Sequence, residues 1–324
     1  MTTPGAEPLP ITTMPGWGFT ETEWVDMDAD GFVDCVTIRA QSSAAQLVWL
    51  RQPSDNKPWE LNVIVENIGG TSFKVLKIAE KEKGSAVITQ RLVIIVAGFR
   101  RSELIAIWVD DEANDWTRSQ KIRTKVIDKA GAYFSIDVTD LNGDGRPDIL
   151  TSIAGVRGRS GGVVCYEIPT DFTNEKSKWL KHILSTDFSG ATSFNRVTPG
   201  ISIPFLPKAG ISKPSVLVSG FDDGQVYVLR PTSWSPYIWK YTTDVIFKRP
   251  TSIGTPAIGD ADGDGVMEIF IPEAMYIHVL SYEHQYTKME SQLGKNGVSS
   301  CELVHGDRFV LMLLMTVWGL LLLF

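Results

Sequence analysis

Between residues 132 and 184 the chain runs through four short segments, "AYFSIDVT", "DILTSIAG", "GGVVCYEIP" and "WLKHILS", separated by Gly, Pro, Asp and Asn. Runs this short, rich in β-branched and aromatic residues and bounded by turn formers, predict four strands. The pattern recurs along the chain. "LVWLRQPSDNKPW" ends at Trp59, "LIAIWVDDEANDW" at Trp116, "VVCYEIPTDFTNEKSKW" at Trp179 and "VYVLRPTSWSPYIW" at Trp239. Each is an apolar strand, a polar turn, and a Trp that opens another alternating run. The Trp spacings are 57, 63 and 60, and "YIHVLSYE" (276–283) begins a fifth copy without a Trp.

A second signature falls into the same register. "DMDADGFVD" (26–34), "DLNGDGRPD" (140–148) and "DADGDGVME" (260–268) all fit D-x-[DN]-x-D-G-x-x-[DE]. Their starts are 114 and 120 residues apart, two periods each. Residues 85–127 and 201–247 are expected to supply the units between, with "SAVITQ" and "KAGISKPS" where an acidic loop would stand. A period near 60 with four strands per unit predicts an all-β fold, a β-propeller of four-stranded blades with five blades visible. A β-sandwich or two separate domains is the alternative, and neither gives a reason for that period.

Carboxylates crowded this closely repel one another, and folding them together without a counter-ion is costly. A hard divalent cation removes the cost. Positions 1, 3 and 5 of each loop offer side-chain oxygens, position 7 its backbone carbonyl, and position 9 a carboxylate able to bind through both oxygens. Ca²⁺ suits six to eight flexible oxygen ligands better than Mg²⁺, which demands a tight octahedron. An EF-hand would want Glu at position 12 and helical flanks. Thr37, Thr151 and Ile271 stand there, and the flanks alternate as strands. The plainer alternative for each loop is a solvated Asp-Gly turn. The loops hold eleven carboxylates, so the other charges of the chain, Arg146 within a loop included, sum to +4 against a formal net charge of −7. Three divalent ions would bring the whole to −1.

The loops, "DLNGDGRPDIL" above all, resemble the FG-GAP/VCBS repeats known from integrin α-chain propellers and many secreted proteins. The resemblance covers roughly residues 20–285, strongly in units one, three and five. It implies that each loop joins the first two strands of a blade and holds Ca²⁺, about three ions in all. Carried over by position, the ligands are Asp26, Asp28, Asp30 and Asp34; Asp140, Asn142, Asp144 and Asp148; and Asp260, Asp262, Asp264 and Glu268. The backbone carbonyls of Phe32, Arg146 and Val266 would complete them. Propellers of this family usually have seven blades, so five leaves open a true five-bladed ring or a chain lacking N-terminal blades.

With 324 residues, 43% hydrophobic and 21% charged, the chain is long enough to bury a substantial core. With its negative charge, nonspecific nucleic-acid binding is not expected. Cys35, Cys165 and Cys301 are too few for a disulfide framework and read as separate thiols. Residues 1–19 form an N-terminal extension without the basic and apolar regions of a signal peptide. The repeats occupy 20–290, a polar spacer 291–308, and an uncharged tail, "FVLMLLMTVWGLLLLF", 309–324. Small residues, spacer and apolar tail together predict a glycosylphosphatidylinositol (GPI) attachment signal, with a tail-anchored helix or a buried strand as alternatives. Either anchor would join the protein to a membrane through its C-terminus. A GPI anchor also requires passage through the secretory pathway, so an N-terminal truncation or an alternative start is expected.

Two functions follow. The first is a noncatalytic propeller at the cell surface or secreted, acting as a binding or adhesion module for a protein or glycan. Trp234 and Tyr237 are candidates for stacking on a sugar, or for packing in a turn on their own blade. The second is a carbohydrate-active enzyme of lyase or dehydratase type on the same propeller. No nucleophile elbow, metal-binding His pair or phosphate loop occurs, and His182, His278, His284 and His305 lie in unrelated contexts. No catalytic residue is assigned.

Overall fold

The computed structural model describes Ile11 and residues 15–282, apart from 42–43, 56, 71, 82–87, 112–114, 156–160, 189–196, 208–209 and 274. The described residues form strands and two single-turn 3₁₀ segments, with no α-helix among them. The fold is all-β, as the strand pattern predicts.

Five sheets follow one another along the chain. The first holds β1 (Gly18–Val25), β2 (Asp34–Gln41), β3 (Ala44–Arg51) and β4 (Glu60–Glu66). The second holds β5 (Ser72–Lys81), β6 (Ile88–Gly98), β7 (Glu103–Val109) and β8 (Ile122–Asp128). The third is β9 (Ala132–Thr139), β10 (Asp148–Ala154), β11 (Gly162–Glu167) and β12 (Leu180–Ser185). The fourth is β13 (Ser202–Phe205), β14 (Ser215–Ser219), β15 (Gln225–Pro231) and β16 (Tyr241–Lys248). The fifth has three described strands, β17 (Ala257–Gly259), β18 (Glu268–Glu273) and β19 (Tyr276–Ser281). Within every sheet the strands lie side by side in chain order. Short turns between neighbours keep the pairing local and antiparallel.

The chain divides into two compact units between Ile127 and Asp128. In the first, Val36, Ile38, Leu47 and Trp49 of the first sheet meet Leu92, Ile94, Val96, Ile105 and Ile107 of the second in one buried cluster. The alternation of these positions points one row of side chains at the partner sheet. In the second unit, Leu150, Val163 and Cys165 of the third sheet pack against Val216, Val218 and Leu229 of the fourth. The other face of the fourth sheet, with Leu217, Val226 and Val228, packs against Ile269, Ile271 and Leu280 of the fifth. A strand covered on both faces has no solvent side to mark with polar residues. That is why β7, "ELIAIWV", is buried along its whole length.

Three details differ from the sequence expectation. The second sheet begins at Ser72, not near residue 85. Its first strand, "SFKVLKIAEK", carries three Lys residues and reads as a connector, yet pairs with β6 from Ser72 opposite Ala97 to Lys81 opposite Ile88. The Trp markers stand within two residues of the fourth strand at Trp59, Trp179 and Trp239, whereas Trp116 lies six residues before β8 and is buried in the core. The fifth sheet shows three strands rather than four among the described residues. Residues 291–324, the spacer and tail, lie outside the described residues, within which no helix is long and apolar enough to cross a membrane.

Candidate metal loops

Each acidic motif joins the first two strands of its sheet: 26–34 between β1 and β2, 140–148 between β9 and β10, and 260–268 between β17 and β18. The last residue of each motif is also the first residue of the second strand. Asp34, Asp148 and Glu268 are thereby drawn into the buried edge of their sheets, at 0%, 2% and 8% exposure.

The three loops fold on one hydrogen-bond frame. Oδ2 of Asp26, Asp140 and Asp260 accepts the amide of the position-6 glycine at 3.0, 2.7 and 3.0 Å. The side-chain oxygen of Asp28, Asn142 and Asp262 accepts the position-5 amide at 3.3, 2.9 and 3.2 Å. Oδ1 of Asp30, Asp144 and Asp264 accepts the position-7 amide at 2.9, 2.9 and 2.7 Å. The position-9 carboxylate reaches back to the position-2 amide of Met27, Leu141 or Ala261 at 3.0, 3.0 and 2.7 Å. Such short-range side-chain to backbone bonds are what Asx-type turns are made of. Here they repeat, bond for bond, in three separate sheets.

The frame gathers negative charge. Carboxylate oxygens of Asp26, Asp28 and Asp34 lie within 4.8 Å of one another, as do those of Asp260, Asp262 and Glu268. In the loop between β9 and β10 the matching middle position is Asn142, whose amide nitrogen donates to Asp144 at 3.1 Å. Two ligands on opposite sides of a Ca²⁺ ion are about 4.8 Å apart, so these oxygen sets fit a hard divalent cation in spacing and in donor type. Asp30, Asp144 and Asp264, and the carbonyl-bearing Phe32, Arg146 and Val266, belong to the same turns.

The electrostatics are those of a place that a cation would relieve. Burial, against the pull of the Leu141 amide and with the charges of Asp144, Asp140 and Glu167, pushes the Asp148 carboxyl up to about 7. Burial also raises Asp28, in spite of the nearby Arg51 guanidinium. A cavity of about 360 Å³ adjoins the loop between β9 and β10, lined by Thr139, Asp140, Phe205, Leu206, Ser212 and Pro214.

The side groups named from sequence fall elsewhere. Trp234 and Tyr237 are exposed, at 49% and 89%, in the turn between β15 and β16. His182 pairs with Glu167 at 2.6 Å and stacks on Trp239, ring centroids 4.0 Å apart. His278 pairs with Glu273 at 2.8 Å. Cys35 and Cys165 are buried free thiols, as expected, while Cys301, His284 and His305 lie outside the described residues. Sequence reasoning missed the residues facing the loops from the third strand of each sheet, Arg51, Glu167 and Ser281. Only strand register reveals them.

No family model matches the chain, and no curated protein matches it. Among solved structures it is similar to the crystal structure of polysaccharide lyase Uly1, at 11% identity and a TM-score of 0.33. The match covers 82% of this chain and 55% of that one, so the chain spans about half the length of the lyase.

Proposed function

We propose that this chain is a calcium-binding β-propeller of the FG-GAP/VCBS type, acting as a noncatalytic binding or adhesion module at the cell surface. One observation carries the reading: three loops at the same point of three sheets share one hydrogen-bond frame, and each aims several carboxyl groups into a single turn. A solvated Asp-Gly turn gives no reason for the buried carboxylate that ends each loop. Sequential antiparallel sheets that pack face to face inside each unit support blades. The ions would brace the first turn of a blade, and the faces and turns between blades would meet the partner, a protein or glycan. The tail at 309–324 would serve as a GPI signal.

Isothermal titration calorimetry of Ca²⁺ into the chelator-treated protein tests the metal assignment. Binding of about three ions is expected, together with a rise in melting temperature. At a hundredfold excess over Kd each site would add about 2.7 kcal/mol. No heat of binding at millimolar Ca²⁺ overturns it. Incubation of the calcium-loaded protein with acidic polysaccharides tests the module assignment. Retention without cleavage is expected, and cleavage would transfer the protein to the enzyme reading.

A further inference from the structure

The residue that faces position 9 across the sheet differs in charge among the three loops. In the third sheet Asp148 pairs with Glu167, and in the fifth Glu268 pairs with Ser281. In the first, Cys35 pairs with Leu50, which sets the preceding Asp34 beside the following Arg51. One structural position therefore carries a negative, a neutral and a positive side chain.

Arg51 uses its charge on the loop itself. Its Nε lies 2.6 Å from Oδ2 of Asp28 and its Nη2 3.2 Å from Oδ2 of Asp30. Asp28 belongs to the 4.8 Å carboxylate group and Asp30 is the position-5 oxygen donor. The guanidinium thus stands on two side chains that an ion would need. Glu167 adds negative charge near its loop and is held by His182 at 2.6 Å. Ser281 contributes no charge. Arg146, the basic residue inside the loop at 140–148, sends its guanidinium away to the carbonyl of Ile168.

We propose that the residue opposite position 9 sets the ion affinity of each loop, and that Arg51 makes the loop at 26–34 the weakest of the three and the last to fill. This rests on the calcium reading. An entering divalent ion must either displace the guanidinium from Asp28 and Asp30 or bind beside a like charge, and both routes oppose binding. The side chain has somewhere to go. It is 39% exposed and borders a cavity of about 260 Å³ shared with Gln52, Asp55, Lys57 and Glu60. Ion binding in this loop would therefore release Arg51 toward solvent.

The test is calorimetric titration of Ca²⁺ into the full chain as parent, Arg51→Ser, Ser281→Arg and Asp26→Asn, with circular dichroism to check folding. In the parent, one site is expected to bind more weakly than the other two, and Asp26→Asn should delete that weak site. Arg51→Ser should tighten it about tenfold, and Ser281→Arg should move a second site into the weak class. Ser281→Arg keeps the idea testable if Arg51→Ser does not fold. Calcium binding that is unchanged in both Arg51→Ser and Ser281→Arg overturns the proposal and leaves the calcium reading standing. Deletion of a tight site by Asp26→Asn overturns it as well. Absence of binding in every protein removes both.

Discussion

At the scale of single residues, the loop frame demands a left-handed backbone at positions 4 and 6. Position 6 is glycine in all three loops, whereas position 4 is Gly143 and Gly263 in two and Ala29 in the first. Ala29 holds φ at 60°, a conformation that costs an L-residue about 1–2 kcal/mol. Ala29→Gly should therefore stabilise the protein by about 1 kcal/mol, less the extra freedom glycine gains in the unfolded chain. Urea denaturation in chelator checks this, and an unchanged midpoint would refute it. Gly143→Ala should do the reverse. Its Cβ would meet the Ser212 carbonyl at 3.2 Å as well as forcing φ near 80°.

At the scale of elements, the loops and the strand edges carry the charge chemistry. Asp144→Ala removes an oxygen donor and the acceptor of the Arg146 amide. Calcium affinity at that loop should fall by about 10- to 100-fold, with β9 and β10 becoming more open to protease and the first two sheets unaffected. Equal cleavage of mutant and parent in calcium would count against it. A second staple ties Asp128 to the ends of β11 and β12. Asp128 accepts from Lys181 at 2.7 Å and from Tyr166, whose hydroxyl also lies 2.9 Å from that of Tyr133. Burial alone would raise the Asp128 carboxyl, but the bonds from Lys181, Tyr166 and Tyr133 outweigh it and bring the group down to about 2. A folded value below the unfolded one of about 3.9 means stability that is present above pH 4 and lost as the pH falls toward 2. In the Asp128→Asn protein the urea midpoint should decline less between pH 4.5 and 2.5 than in the parent. Parallel declines would show that the staple contributes nothing.

At the scale of the whole molecule, the proposed function joins the net charge to the proposed C-terminal anchor. On the proposed calcium reading, the formal charge of −7 with its eleven loop carboxylates would fall to −1 once three ions were bound. If the 309–324 tail is a GPI signal, a phosphatidylinositol-specific phospholipase should release the mature protein from cells, ending near residues 296–300 and without Phe324. Resistance to the enzyme, with an intact tail by mass spectrometry, would exclude the lipid anchor and leave the calcium loops as they are.

Much of this was legible in the chain because the information is local. The strand segments 132–139 and 148–154 follow from alternation and turn residues. The loops follow from oxygen side chains at fixed spacing, since a nine-residue turn closes on itself and needs no distant partner. The Trp register located the fourth strands of three sheets for the same reason. Other features depend on neighbours far away in sequence. β5 has the composition of a connector and becomes a strand because β6 offers it a long run of backbone partners. Burial of β7 along its whole length is set by tertiary packing, with Ile105 and Ile107 turned into the core shared with the first sheet. The charge facing each loop, Arg51, Glu167 or Ser281, is set by strand register, which places residues some 13 to 19 positions apart side by side. Local spacing decided where oxygens gather, and tertiary pairing decided what charge stands across from them.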